Sequence, residues 1–186
     1  MDFYQAVETR QSCRAYADRP VEKEAVLRIL RAARLSPSAC NSQPWTFVVA
    51  DDPALCAKVS DCLQSGRLGI NRWTGQVPCF IVLVSEKKER TGRAAEILQA
   101  HDFTQVDAGI AVQTLALAAA AEGLGSCIVG WIDRPALRKV LDIPEGKEVP
   151  VILALGYPAD PAVLPKKRRE EADLFRFGSY SAGEGR

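Results

Sequence analysis

The sequence predicts a single domain of the α+β or α/β class, and three observations carry that expectation. Segments with helical periodicity alternate with segments of strand character along the chain. Two continuous apolar runs of strand length, residues 79–84 and 149–155, suit the centre of a sheet. Residues 105–122 are apolar nearly all round a helical wheel, as a core helix requires. The length of 186 residues suits one domain, and a chain of that size buries roughly 70% of its unfolded surface without a disulfide or metal staple.

Taken in order, residues 2–8 open a short helix. Residues 22–35 form a clearer one: Val26, Ile29, Leu30 and Ala33 recur at helical spacing, Arg28, Arg31 and Arg34 fall elsewhere on the wheel, and Pro37 ends it. Residues 45–49 read as a strand. Residues 53–63 read as a helix capped by Asp51 or Asp52, and residues 86–96 as a charged, exposed stretch. The core helix carries Ile110, Val112, Leu115 and Leu117 among six small alanines (108, 111, 116, 118, 119, 120), which suit close packing on another helix. Gly123 and Gly125 end it. Residues 127–129 make a short strand or an extended turn, and Asp133 caps a helix over 135–141. After Gly156 the chain turns proline-rich and basic, and residues 179–186 form a small polar tail. Leu164, Leu174, Phe175, Phe177 and Tyr180 on this last segment must be buried somewhere. A second subunit and the chain's own domain are equal candidates.

Composition excludes several function classes. Apolar residues make up 47% and charged residues 25%, which is globular and not disordered. The net charge of +1 gives no global attraction to nucleic acid or an anionic membrane. The single histidine, His101, nearly excludes multi-histidine zinc sites and leaves no spare base for a Ser-His-Asp mechanism. It reads as a surface or helix-start residue. The six cysteines form no CxxC pair, and Cys79 and Cys127 lie in apolar runs. The N-terminus shows no signal-peptide pattern, and no apolar run approaches the ~20 residues needed to span a bilayer. A soluble, cytoplasmic, thiol-reduced protein is expected.

Most familiar motifs are absent: there is no P-loop, no GxSxG and no HExxH. Gly123, Gly125 and Gly130 have the wrong spacing for GxGxxG and follow a helix. Ser85-Glu86-Lys87-Lys88 matches SxxK without its companion motifs.

Four segments carry possible chemistry. Arg10-Gln11-Ser12-Cys13-Arg14 offers two bidentate donors and a hydroxyl, a set suited to a phosphate dianion. A solvated basic turn is the plainer alternative. Ser36-Pro37-Ser38-Ala39-Cys40-Asn41-Ser42-Gln43-Pro44-Trp45 is a polar loop stiffened by two prolines, able to face the edge of a heteroaromatic ring or simply to satisfy its own backbone. Gly123-Leu124-Gly125-Ser126-Cys127-Ile128-Val129-Gly130 is a helix end leading into a strand, where Gly130 permits close approach of a flat ligand. Pro165-Lys166-Lys167-Arg168-Arg169 is a run of four cations, or a solvated charge run.

Together and in this order, from about Tyr4 to Phe177, these segments resemble the nitroreductase family of FMN-dependent oxidoreductases. The Pro-Ser-Ala-x-Asn-Ser-Gln-Pro-Trp loop is the most specific part. The resemblance implies an α+β fold with a mostly antiparallel central sheet flanked by helices. It further implies an intertwined homodimer in which a C-terminal arm (157–178) of a single domain spanning 1–178 packs on the partner. By the same resemblance, Arg10, Gln11, Ser12 and Arg14 match the segment that binds the FMN phosphate and ribityl chain. Lys166 and Arg168 complete the phosphate site, with Lys167 and Arg169 as the alternative register. Pro37, Ser38, Ala39 and Asn41 reach the flavin from the other subunit, and Ile128, Val129 and Gly130 pass their backbone beside the isoalloxazine. Asn71 is a further possible ring contact.

The implied reaction is ping-pong. NADH or NADPH delivers hydride to the flavin, and a nitroaromatic, quinone or similar small-molecule acceptor then takes the electrons. The cofactor supplies the electron chemistry and the protein supplies position and electrostatics, which accords with the single histidine. No side chain is assigned as a catalytic acid or base, and no metal is expected. Trp73 and Phe103 are either pocket or core residues. Competing expectations are an FMN-dependent dehalogenase or flavin-fragmenting relative, a non-catalytic flavin-binding or redox-sensing module, and a basic-tail interaction protein.

Overall fold

The computed structural model describes residues 1–86 and 103–180. His101, most of the charged stretch expected after Ser85, Lys88 of the SxxK match and residues 181–186 of the tail lie outside the described residues.

The sheet has four strands, β1 (Trp45–Ala50), β2 (Cys79–Ser85), β3 (Gly125–Val129) and β4 (Ile152–Gly156), in the order β1-β2-β4-β3, with every neighbouring pair antiparallel. The fold is therefore α+β with an antiparallel sheet, and the α/β alternative falls away. Strand residues alternate between two helical layers. Phe80, Val82 and Val84 of β2, with Ile152 and Ala154 of β4, face a cluster built on helix α3 (Pro53–Asp61) and on α5 (Arg134–Val140). Cys79 and Ile81, with Leu153 and Leu155, face helix α2 (Lys23–Arg34) and the long α4 (Thr104–Ala121). With both faces covered, β2 is apolar from Cys79 to Val84 and β4 carries no polar side chain, which is why they stand out in the sequence.

The helix ends follow from their sequences. Helix α1 (Phe3–Thr9) starts in a capping box: Asp2 Oδ1 accepts the Gln5 N–H at 2.9 Å, and Gln5 Oε1 accepts the Asp2 N–H at 3.1 Å. Of the two candidate caps for α3, Asp52 does the work, accepting the Leu55 N–H at 3.0 Å. Helix α4 ends where Gly123 takes φ of +75° and the Leu124 N–H returns to the Ala119 carbonyl at 2.9 Å. Gly125, expected to share in that ending, instead opens β3. Two 3-10 turns, Ala39–Asn41 and Arg72–Gln76, have no periodicity that would announce them. The terminal α6 (Glu171–Leu174) is one turn long, and every residue from 159 to 180 is exposed. Among the described residues no helix is long and apolar enough to cross a membrane, and all six cysteines are unpaired.

Candidate functional site

The N-terminal basic segment is laid between β3 and the stretch that leaves β4. Ser12 forms a parallel bridge with Ser126, and the Cys13 N–H donates to the Ser126 carbonyl at 2.9 Å. On the other side the Ala17 N–H donates to Tyr157 O at 2.9 Å, and the Ala159 N–H donates to Ala15 O at 3.0 Å. Gly125 makes this approach possible: a Cβ there would stand 2.8 Å from Cys13 Sγ and 2.9 Å from Cys13 Cβ. Tyr16 anchors the segment from beneath. It is buried, its hydroxyl donates to Cys13 O at 2.9 Å, and burial pushes its ionisation far up.

This anchoring leaves Ser12 and Arg14 exposed and Arg10 half-buried. Neither arginine forms an ion pair with a carboxylate among the described residues. Their charges are felt at Cys127, whose thiol is raised by burial while Arg14, a hydrogen bond with Ser12, and Arg10 pull it down. Ser12 is thus bridged to Ser126 of β3, with Arg10 and Arg14 two residues away on either side of it. Lys166 comes to the neighbouring end of α1 from far along the chain: its Nζ donates to the Glu8 carbonyl, two residues before Arg10. Arg10, Gln11, Ser126 and Val163 contribute to the lining of a groove of about 240 Å³ here. Arg168 and Arg169 bond to carbonyls of their own arm, Lys167 and Asp173 respectively.

The loop between α2 and β1 docks elsewhere. The Ser36 hydroxyl donates to Thr114 Oγ1 at 2.9 Å, and the Ala39 N–H donates to Asp107 Oδ1 at 3.0 Å. Ser38 Oγ accepts the Gln43 N–H at 2.8 Å, closing the loop on itself. Cys40, Asn41 and Gln43 all have positive φ (54°, 52° and 45°), a conformation costing roughly 1–2 kcal/mol per non-glycine residue. Strain of this kind persists only where surrounding contacts dictate it. Asp107 supplies one such contact; it is buried, and its Oδ2 has no hydrogen-bond partner among the described residues. Sequence reading passed over Asp107, although it is the only charged residue in the 18-residue α4.

At the end of β3, Cys127 and Val129 point into the core while Ile128 is 40% exposed. Gly130 is exposed and faces open space. Trp131, which the sequence did not single out, is 50% exposed beside it. The Asn71 amide is committed to the Leu63 carbonyl at 3.1 Å, and Trp73 packs against the core beside Tyr16.

One chain therefore brings Arg10, Ser12, Arg14 and Lys166 together but keeps the loop 37–41 apart from them. The loop sits against Asp107 near the start of α4, and the cations gather beyond its other end. At 1.5 Å per residue that is about 20 Å of helix.

Comparison with known proteins adds the following. The model of the Nitroreductase family matches residues 7–65 and 57–157. A protein of Archaeoglobus fulgidus provisionally named NADH dehydrogenase/NAD(P)H nitroreductase is 35% identical over 156 residues, 82% of this chain and 83% of its own. The iodotyrosine deiodinase 1 of Rattus norvegicus is 27% identical, covering 92% of this chain and 67% of its own. Among solved structures, an FMN-dependent nitroreductase of Clostridium difficile R20291 superposes with a TM-score of 0.74 at 27% identity, covering 95% of this chain and 99% of its own.

Proposed function

The chain belongs to the nitroreductase family, and from that premise we propose that it is an FMN-dependent oxidoreductase drawing on NADH or NADPH to reduce a small aromatic acceptor. The observation that carries the proposal is the basic N-terminal segment laid on β3 by the Ser12–Ser126 bridge, with Arg10 and Arg14 free of ion pairs among the described residues and Lys166 bonded to the Glu8 carbonyl two residues before Arg10. Guanidinium forks, an ammonium and a hydroxyl are the donors a phosphate dianion requires. The exposed Ile128 and the open space at Gly130 suit a flat ring laid on the same strand. The donor set thus fits FMN.

When bound, FMN supplies a two-electron carrier that takes hydride from the nicotinamide and passes the electrons to the acceptor in a second half-reaction. The chain's own part is position and charge. Arg10, Arg14 and Lys166, joined by Arg168 from the same arm, neutralise the phosphate. The Ile128–Gly130 backbone presents its polar groups along the strand edge. No side chain is assigned as a proton donor to the acceptor; in this reading solvent supplies the proton. A groove of about 240 Å³ falls below the ~300–1,000 Å³ typical of ligand sites, so one chain covers such a ligand only in part. The remaining cover comes, in this reading, from Pro37, Ser38, Ala39 and Asn41 of a second copy, which a single chain holds too far away. The exposed apolar residues of the arm favour the same homodimer.

The deiodinase likeness over 92% of the chain favours a second reading of the acceptor: a halophenol reduced to phenol, with hydride replacing the leaving halide ion. Anaerobic mixing of the FMN-loaded protein with NADH and NADPH, followed by a panel of nitroaromatics, quinones and halophenols, tests both. Bleaching of the flavin absorption and its return on adding an acceptor are expected. A protein that gains no flavin bands on incubation with FMN overturns the proposal.

A further inference from the structure

Gln11 lies in the middle of the basic segment, yet its side chain serves the arm. Its Nε2 donates to the Ala162 carbonyl at 2.8 Å, and its Oε1 accepts the Leu164 N–H at 3.1 Å. A carboxamide offers a donor and an acceptor together, and here both engage alternate residues of an extended stretch, as a neighbouring strand would. Among the described residues these are the only hydrogen bonds tying residues 160–165 to the rest of the domain. Pro161 and Pro165 stiffen the stretch on either side. One residue beyond, Lys166 reaches the Glu8 carbonyl, two positions before Arg10.

Resting on the FMN reading above, we infer that Gln11 is a positioning residue. It clasps the arm so that Lys166 stands beside Arg10 and Arg14, and it acts on the phosphate through Lys166. The arm takes one of the two Nε2 hydrogens and one Oε1 lone pair, so the cycle below must separate action through Lys166 from a contact of the second N–H with the ligand. Gln11→Met removes both bonds while keeping the length of the side chain.

The test is a double-mutant cycle on FMN affinity with Gln11→Met, Lys166→Met and the pair, with Arg14→Ala alongside. Gln11→Met is expected to weaken FMN about tenfold in the parent chain, the worth of one charge-assisted contact. In the Lys166→Met background it is expected to have less than about a twofold effect. In FMN-free protein, hydrogen exchange over residues 160–166 is expected to quicken in Gln11→Met, which a ligand contact alone would not produce. Equal effects in both backgrounds, an unchanged exchange rate, or an inert Lys166→Met each overturn the clasp. If Arg14→Ala also leaves FMN binding intact, it is the FMN reading itself that fails.

Discussion

At the scale of single residues, charge outside the candidate site has measurable consequences. Glu22 accepts from the Tyr157 hydroxyl at 2.5 Å and from Arg19 at 2.7 Å, while the Arg19 guanidinium lies 3.7 Å from the centre of the Tyr157 ring. The Tyr157 hydrogen bond, the residue's own backbone N–H and Arg19 hold the Glu22 carboxyl down to about 2. A carboxyl lowered in the folded state stabilises fully above its unfolded value, and that stability is lost as pH falls through the folded one. The stabilisation is thus complete above about pH 4.5 and disappears toward pH 2. Tyr157→Phe should raise the Glu22 value toward the ordinary carboxylate range. Its melting-temperature deficit against the parent chain should be present at pH 6 and shrink by pH 2; a deficit independent of pH would refute the assignment. None of this was legible in the sequence, because Glu22 and Tyr157 meet only in the fold. Asp107 differs: a lone charge in an otherwise uncharged helix was a visible signal, and what stayed hidden was the strained loop it serves.

At the scale of elements, legibility follows burial. Strands β2 and β4 are covered on both faces and announce themselves as unbroken apolar runs. The two 3-10 turns rest on left-handed backbone at Cys40, Asn41 and Asn71, which no periodicity encodes. Gly125 shows the same limit. In the sequence it reads as part of a helix ending, whereas in the fold it clears a path for Cys13. Gly125→Ala is therefore expected to destabilise the chain by about 1–3 kcal/mol through overpacking. Cys13→Ala should not rescue it, since Cys13 Cβ alone would stand 2.9 Å from the added methyl. Urea denaturation of the three variants checks this, and full rescue by Cys13→Ala would refute it.

At the scale of the whole molecule, the basic segments and the polar loop stood out in the sequence, and their division between two chains was an expectation of the family resemblance. Composition marked the basic segments and the polar loop. Only the fold reveals that α4 holds the loop apart from the cations. The arm is tied to its own chain by Gln11 and Glu8, yet its apolar side chains are not covered there: Phe177 is 89% exposed and Tyr180 91% exposed, with Leu164 and Phe175 also on the surface. Apolar area on this scale marks an interaction surface. A chain truncated after Pro158 should run as a monomer and fail to retain FMN, since it loses the arm's apolar residues together with Lys166 and Arg168. Sedimentation and absorption spectroscopy check both losses. A truncated dimer that still binds FMN would sink the assembly proposed here.

The arm's bonds to the N-terminal segment join residues 151, 153 and 158 positions apart. Contacts this distant form slowly, because their loop must close before they stabilise anything. On a growing polypeptide, Arg10 and Arg14 wait for more than 150 further residues before Lys166 emerges. The phosphate cradle proposed above is thus complete only once Lys166 is in place, and in that reading cofactor loading follows the closure of this long loop.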